Sequence, residues 1–273
     1  ATGRTRPRTG AGEGGMSSST NLVALYTVVR REIVRILRIW TQTLIPPVIT
    51  MTLYFIIFGK VVGSKIGIVE GGFTYMQYIV PGLVLMSIIT NSYSNLTSSF
   101  FGAKFGHYVE EMLVSPMPNW VILSGYILGA MVRGLCVGIV VMLIALLFTD
   151  LHMVHPLVTV TTAMLTSAVF ALAGFVNAVF ARKFDDIAII PSFVLQPLTY
   201  LGGVFYSIDQ IGEPWHTISL ANPILYMVNA FRFGFLGTSD VDVNFALAGI
   251  VGMLVCAYAF AWYLLQKGRK LRS

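Results

Sequence analysis

Charge is what this sequence has least of. Only 11% of its residues are Asp, Glu, Lys or Arg, against about a quarter in an ordinary soluble domain. A soluble fold of 273 residues could not cover its surface with so few, while 56% of the chain is hydrophobic and the mean hydropathy is +0.77. The bilayer is the natural solvent for such a surface. Cysteine is nearly absent too. Cys136 and Cys256 both sit in apolar runs, which excludes a disulfide framework and a CxxC metal site and leaves them as small apolar filler. There is no GxxxxGK[ST] phosphate loop and no nucleophile elbow, so catalysis by this chain is not expected. Nor is a metal or a cofactor of its own. The net charge of +6 comes from basic residues flanking apolar runs, which is the positive-inside pattern rather than a nucleic-acid surface.

What is present is a series of long apolar segments. The first fifteen residues, ATGRTRPRTGAGEGG, lack an apolar run and are therefore no signal peptide. They read as a disordered extension. Met16 opens a different composition and is expected to be the natural start, with residues 16–273 forming one membrane domain. Spans are expected at about 42–62, 75–96, 120–148, 156–180, 187–206 and 245–265, giving an all-α membrane protein of six transmembrane helices. The third is longer than the ~20 residues a bilayer needs, so it protrudes or tilts. Between the last two, residues 207–244 are semi-apolar and interrupted by Pro214 and Pro223, and read as short re-entrant helices dipping into the outer leaflet.

Ahead of span one lies an amphipathic segment, residues 21–40. Arg31, Arg35 and Arg38 share one helical face, and Leu22, Leu25, Tyr26, Val29, Ile33, Ile36 and Trp40 line the opposite one. Five charges exclude it as a span. It is expected to lie at the membrane surface with its arginines near lipid phosphates; a soluble helix packed on a protein core is the bland alternative. Counting Lys and Arg on the two sides of a six-span chain gives fourteen against three, with Arg133 set aside, which places both termini in the cytoplasm. Arg133 either lies inside span three or, if that span starts near Gly134, at its cytoplasmic boundary.

The loop between spans two and three, GAKFGHYVEEMLVSPMPN, carries the most information. Phe105, Tyr108, Val109 and Met112 recur at helical spacing, Glu110 and Glu111 point elsewhere, and Ser115-Pro116-Met117-Pro118 stops the helix. Acidic residues on the basic side run against the charge bias and point to a protein partner; a solvated turn is the alternative. Asp185 and Asp186 follow Arg182 and Lys183. They read as local salt bridges and an N-cap for span five, not as a metal pair. His152 and His155 are too poorly supported by neighbours to read as a metal site.

These pieces resemble the permease subunits of ABC-2 type transporters, in particular small bacterial inner-membrane ones. The resemblance rests on the basic helix before span one, the EEMLVSPMP loop, PPVITMTLYFIIFG in span one, YIVPGLVLMSIITNSYSN in span two, and LTYLGGVFYSI with ANPILYMVNAFRFGFLG near the outer side. It covers essentially residues 16–273. It implies an exporter half: two copies of the chain pair, each docks an ABC ATPase subunit that carries the ATP and Mg, and no ATP chemistry occurs on this chain. Glu110, Glu111, Met112, Leu113 and Val114 would form the coupling helix, and Arg31, Arg35 and Arg38 the interface helix. Tyr54, Phe55, Phe58, Asn91, Asn95, Tyr200 and Phe205 are candidates for lining a pathway, although packing between spans explains them as well. A stand-alone secondary transporter or channel is the alternative. It would place ionisable residues at the midplane, and apart from Arg133 none is visible.

Overall fold

The computed structural model describes residues 18–69, 71–115 and 117–267. The extension, the start at Met16, Pro116 and the basic tail beyond Lys267 lie outside the described residues. Helix α1 (Ser18–Arg38) is followed, after a break at Ile39 (φ −110°, ψ 31°), by α2 (Trp40–Tyr54), a π-helical stretch (Phe55–Val62) and α3 (Gly63–Ile66). The last three form one apolar helix, Trp40–Ile66. Helix α4 (Tyr75–Phe105) starts at a capping box, in which Thr74 Oγ1 accepts from the Gln77 N–H and the Gln77 side chain accepts from the Thr74 N–H. The short α5 (Tyr108–Val114) leads into α6 (Asn119–Ala145) and α7 (Pro156–Phe180). Then come α8 (Asp186–Ile190), a second π-helical stretch (Pro191–Leu195), α9 (Gln196–Tyr200), α10 (Trp215–Leu220), α11 (Pro223–Leu236) and α12 (Val243–Lys267).

Five helices among the described residues are long and apolar enough to cross a bilayer: 40–66, 75–105, 119–145, 156–180 and 243–267. The expected fifth span, 187–206, departs from this pattern. It is a run of three helical stretches of five residues each, ending in a turn after Tyr200. At 1.5 Å per residue that reaches about 22 Å, short of the ~30 Å hydrocarbon layer. Pro191 and Pro197 remove two backbone donors there, and Gly203, at φ 70°, takes the chain into a left-handed turn.

Helix α4 is the axis of the molecule. It packs along α6 and α7 and touches α11, and most of its residues are buried. The core has two parts. One surrounds the Tyr75 half of α4 with Phe55, Val141, Val204, Met227 and Phe231. The other surrounds its far half, where Leu96, Phe100 and Phe101 meet Tyr126, Phe175 and Ala261. By contrast, Trp40–Ile66 and α12 leave most of their apolar surface exposed, as a lipid-facing or partner-facing span does.

Candidate functional site

Helix α5 hangs between two helices longer than a bilayer requires. Asn95 lies about 30 Å along α4 from Tyr75 at 1.5 Å per residue, one hydrocarbon thickness. The rest of α4, α5 and the first turns of α6 lie beyond it. Phe105 ends α4 rather than opening the short helix: the chain turns at Gly106 and at His107, a non-glycine residue at φ 61°, and α5 starts at Tyr108. Phe105 and Tyr108 are exposed, while Val109 is buried and Met112 packs against the second core. Glu110 and Glu111 stand in the first turn, where a carboxylate complements the helix dipole. Glu110 Oε1 lies 3.8 Å from His107 Nδ1, and Val114 is 82% exposed. The side chain of Leu113 lies outside the described residues.

The helix before span one does not present its basic face as expected. Its apolar residues divide: Ile36 is buried, but Leu22, Tyr26 and Trp40 are exposed. Arg31 and Arg35 turn inward, onto a residue the sequence reading passed over. Glu32 is 1% exposed. Arg35 donates to it through Nη2 (2.9 Å) and Nε (3.2 Å), Arg31 Nη2 lies 3.5 Å away, and the Ser99 hydroxyl sits 2.7 and 2.8 Å from its two oxygens. Arg31 Nη2 also donates to Tyr126 Oη at 2.6 Å, and Arg35 Nη2 to Asn95 Oδ1 at 2.7 Å. Arg133 Nη1 reaches the same Asn95 oxygen at 3.4 Å. The result is a charged hub that joins α1, α4 and α6. Two glycines permit it: a Cβ on Gly125 or Gly129 would lie 2.5 Å from Val28 or Glu32, so α1 comes closest to α6 where α6 has no side chain. A glutamate amid arginines on an amphipathic helix was the one available signal, and the arginines around it masked it. Arg38 is exposed.

The proposed pathway residues separate. Tyr54, Phe58, Tyr200 and Phe205 form one partly open aromatic cluster: Phe205 lies 4.9 Å from Phe58, 6.0 Å from Tyr54 and 6.1 Å from Tyr200 by ring centroids. Phe55 points the other way, fully buried against Phe148. Asn91 is buried and donates to its own helix, to Ser87 O, whereas Asn95 belongs to the hub. Both helices that supply the cluster contain a π-helical stretch, a feature often found at functional sites.

A second buried cation sits near the Tyr75 end. Arg232 is 1% exposed on α11. Its Nη2 donates to Gly203 O at 2.6 Å, its guanidinium lies 3.8 Å from the centre of the Tyr78 ring, and Nη1 is 4.0 Å from Asp240. Asp240 in turn accepts from Ser207 Oγ and the Ile208 N–H. Tyr75, Tyr78, Phe205, Gln210 and Asp240 line a cavity of about 480 Å³ beside it.

One further expectation changes. Asp186 caps no helix N-terminus; its Oδ2 accepts the N–H groups of Arg182 and Lys183. His155 stacks on Phe233 at 4.8 Å. Among the described residues no three His, Cys, Asp or Glu side chains gather as metal ligands.

Long apolar helices, a short acidic helix beyond one end of them, and charged residues tied into helix contacts define a multi-pass α-helical membrane protein. The model of the ABC-2 type transporter family matches residues 23–236, and the chain belongs to that family. It is 54% identical to the inner membrane transport permease YadH of Escherichia coli (strain K12), over 92% of this chain and 98% of that protein. It is also similar to nodulation protein J of Rhizobium leguminosarum bv. viciae, at 22% identity over 75% of this chain and 81% of the other. Nodulation protein J of Neorhizobium galegae gives 24% identity over 77% and 81%.

Proposed function

We propose that this chain is the permease subunit of an ATP-driven exporter in a bacterial inner membrane. It forms half of a translocation pathway, carries no catalytic step itself, and draws energy from a separate ATPase. Two copies pair, and each docks one of two ATPase subunits, which hold ATP and Mg. Both termini face the cytoplasm, and the 186–200 run is a short fifth crossing of six. The helices of 208–236 form the re-entrant outer gate, and the aromatic cluster at Tyr54, Phe58, Tyr200 and Phe205 faces the pathway. The name of the E. coli relative supports the transport reading, and the excess of Lys and Arg supports the orientation.

The observation that carries the proposal is the placement of α5. Glu110, Glu111 and Val114 project beyond a full bilayer thickness of helix, on a segment whose Met112 Sδ lies 4.0 Å from Tyr126 Oη. Tyr126 is bonded to Arg31 of the hub. A push on α5 therefore meets a chain of contacts that ends on α1 and α4, which is what coupling to a bistable membrane pair requires. The test is the double substitution E110K/E111K in the complex co-expressed with its ATPase. Loss of ATPase co-purification and of permease-dependent hydrolysis is expected, with membrane insertion intact. Unchanged co-purification and transport would refute the docking role. Transport by the chain without any ATPase would instead favour the stand-alone carrier.

A further inference from the structure

The charges of the hub do not balance. Three guanidiniums, those of Arg31, Arg35 and Arg133, meet one carboxylate, Glu32. Arg31 and Arg35 use it. Arg133 has only the neutral Asn95 Oδ1, at 3.4 Å, and Arg35 already occupies that oxygen at 2.7 Å. Two polar atoms here are buried with no hydrogen-bond partner, Arg133 Nε and Asn95 Nδ2. Both are donors. Asn95 is 0% exposed, while Arg133 keeps an open side. A surplus cation beside orphaned donors is costly at membrane depth, and an acceptor bearing negative charge is the group that would satisfy it. Asn95 stands one hydrocarbon thickness from Tyr75, at the level where lipid headgroups begin.

We propose that Arg133, Arg35 and Asn95 Nδ2 bind a phosphate group at this boundary of the bilayer. The two guanidiniums would supply charge-assisted N–H···O bonds, and the unpartnered Asn95 Nδ2 a third donor. The phosphate is that of a lipid headgroup or a soluble phosphate ion; the chemistry is shared. The inference needs a chain that spans the bilayer but not an attached ATPase, so it stands or falls apart from the coupling reading.

The test is thermal unfolding of the full chain in a neutral detergent, titrated with phosphatidylglycerol, with diacylglycerol as the same chains lacking phosphate, and with inorganic phosphate. Saturable stabilisation by phosphatidylglycerol and none by diacylglycerol is expected; equal stabilisation by inorganic phosphate assigns the site to the soluble ion. R133Q should weaken the effect about tenfold or more, the worth of a charge-assisted hydrogen bond, while R30Q, at an exposed arginine of α1, should not. N95D is the second arm. It places a carboxylate where the acceptor is missing, so it should raise the midpoint without ligand and abolish the response to phosphatidylglycerol. Stabilisation by diacylglycerol equal to that by phosphatidylglycerol, no response to either phosphate source, or wild-type affinity in R133Q or N95D would overturn the proposal.

Discussion

The two ends of α4 hold cations in different ways. At the Asn95 end, three arginines, a glutamate, a serine, a tyrosine and an asparagine form a network in which Glu32 holds two cations at once. At the Tyr75 end, Arg232 stands alone, held by one backbone carbonyl, one aromatic face and a distant carboxylate, with its Nε and Nη1 left without a hydrogen-bond partner. The first arrangement ties α1 to two helices longer than a bilayer requires, α4 and α6. The second pins the short helix α11 and the Gly203 turn to α4. A network with one shared anion fails when that anion goes, because two charges are stranded together. A single cation leaves fewer partners behind when it goes, and an apolar side chain can fill its space. Sensitivity to mutation should therefore be concentrated at the Glu32 end.

The sharpest way to break this contrast is E32A, which strands Arg31 and Arg35. A destabilisation of about 3 kcal/mol is expected, the low end of the cost of orphaning a buried charge, because the two arginines keep 49% and 30% of their side-chain surface. Urea or thermal unfolding in detergent measures it; a loss under about 1 kcal/mol would mean the hub is a surface pair in energetic terms. G129V comes next, at about 2 kcal/mol. Its side chain collides with Glu32 Cβ and lifts α1 from α6, and cysteine crosslinking between α1 and α6 should fall with it. At the other end, D240N should cost about 1 kcal/mol, in the range of single polar contacts inside membrane proteins. The smallest effect is expected from R232M, within about 1 kcal/mol of wild type in stability. A large loss in R232M and a small one in E32A would reverse the comparison.

Much of the fold could be read from hydropathy. The 156–180 span matches in both bounds, and the 40–66, 119–145 and 243–267 helices match within a few residues, because a helix in lipid must satisfy its own backbone and show an apolar surface. The 187–206 segment departs for a physical reason: its apolar residues outweigh Pro191, Pro197 and Gly203 in a hydropathy average, yet the helix ends at Tyr200. The short acidic helix was legible through its charge bias and its Ser-Pro stop. The pathway candidates were legible only as residue types. Four aromatics converged and Phe55 did not, since a helical wheel does not specify which neighbour each face meets.

By itself the sequence determined that the chain is an all-α membrane protein and where most of its long apolar helices lie. These follow from composition and period alone. Only the tertiary structure decided which way α1 turns. In water, an apolar face turns inward because burial is favourable. Beside a bilayer that force is absent between helices, and close packing and polar pairing choose the contact instead. The bare surface of Gly125 and Gly129 and the buried carboxylate of Glu32 draw Arg31 and Arg35 inward, and Leu22, Tyr26 and Trp40 are left facing out.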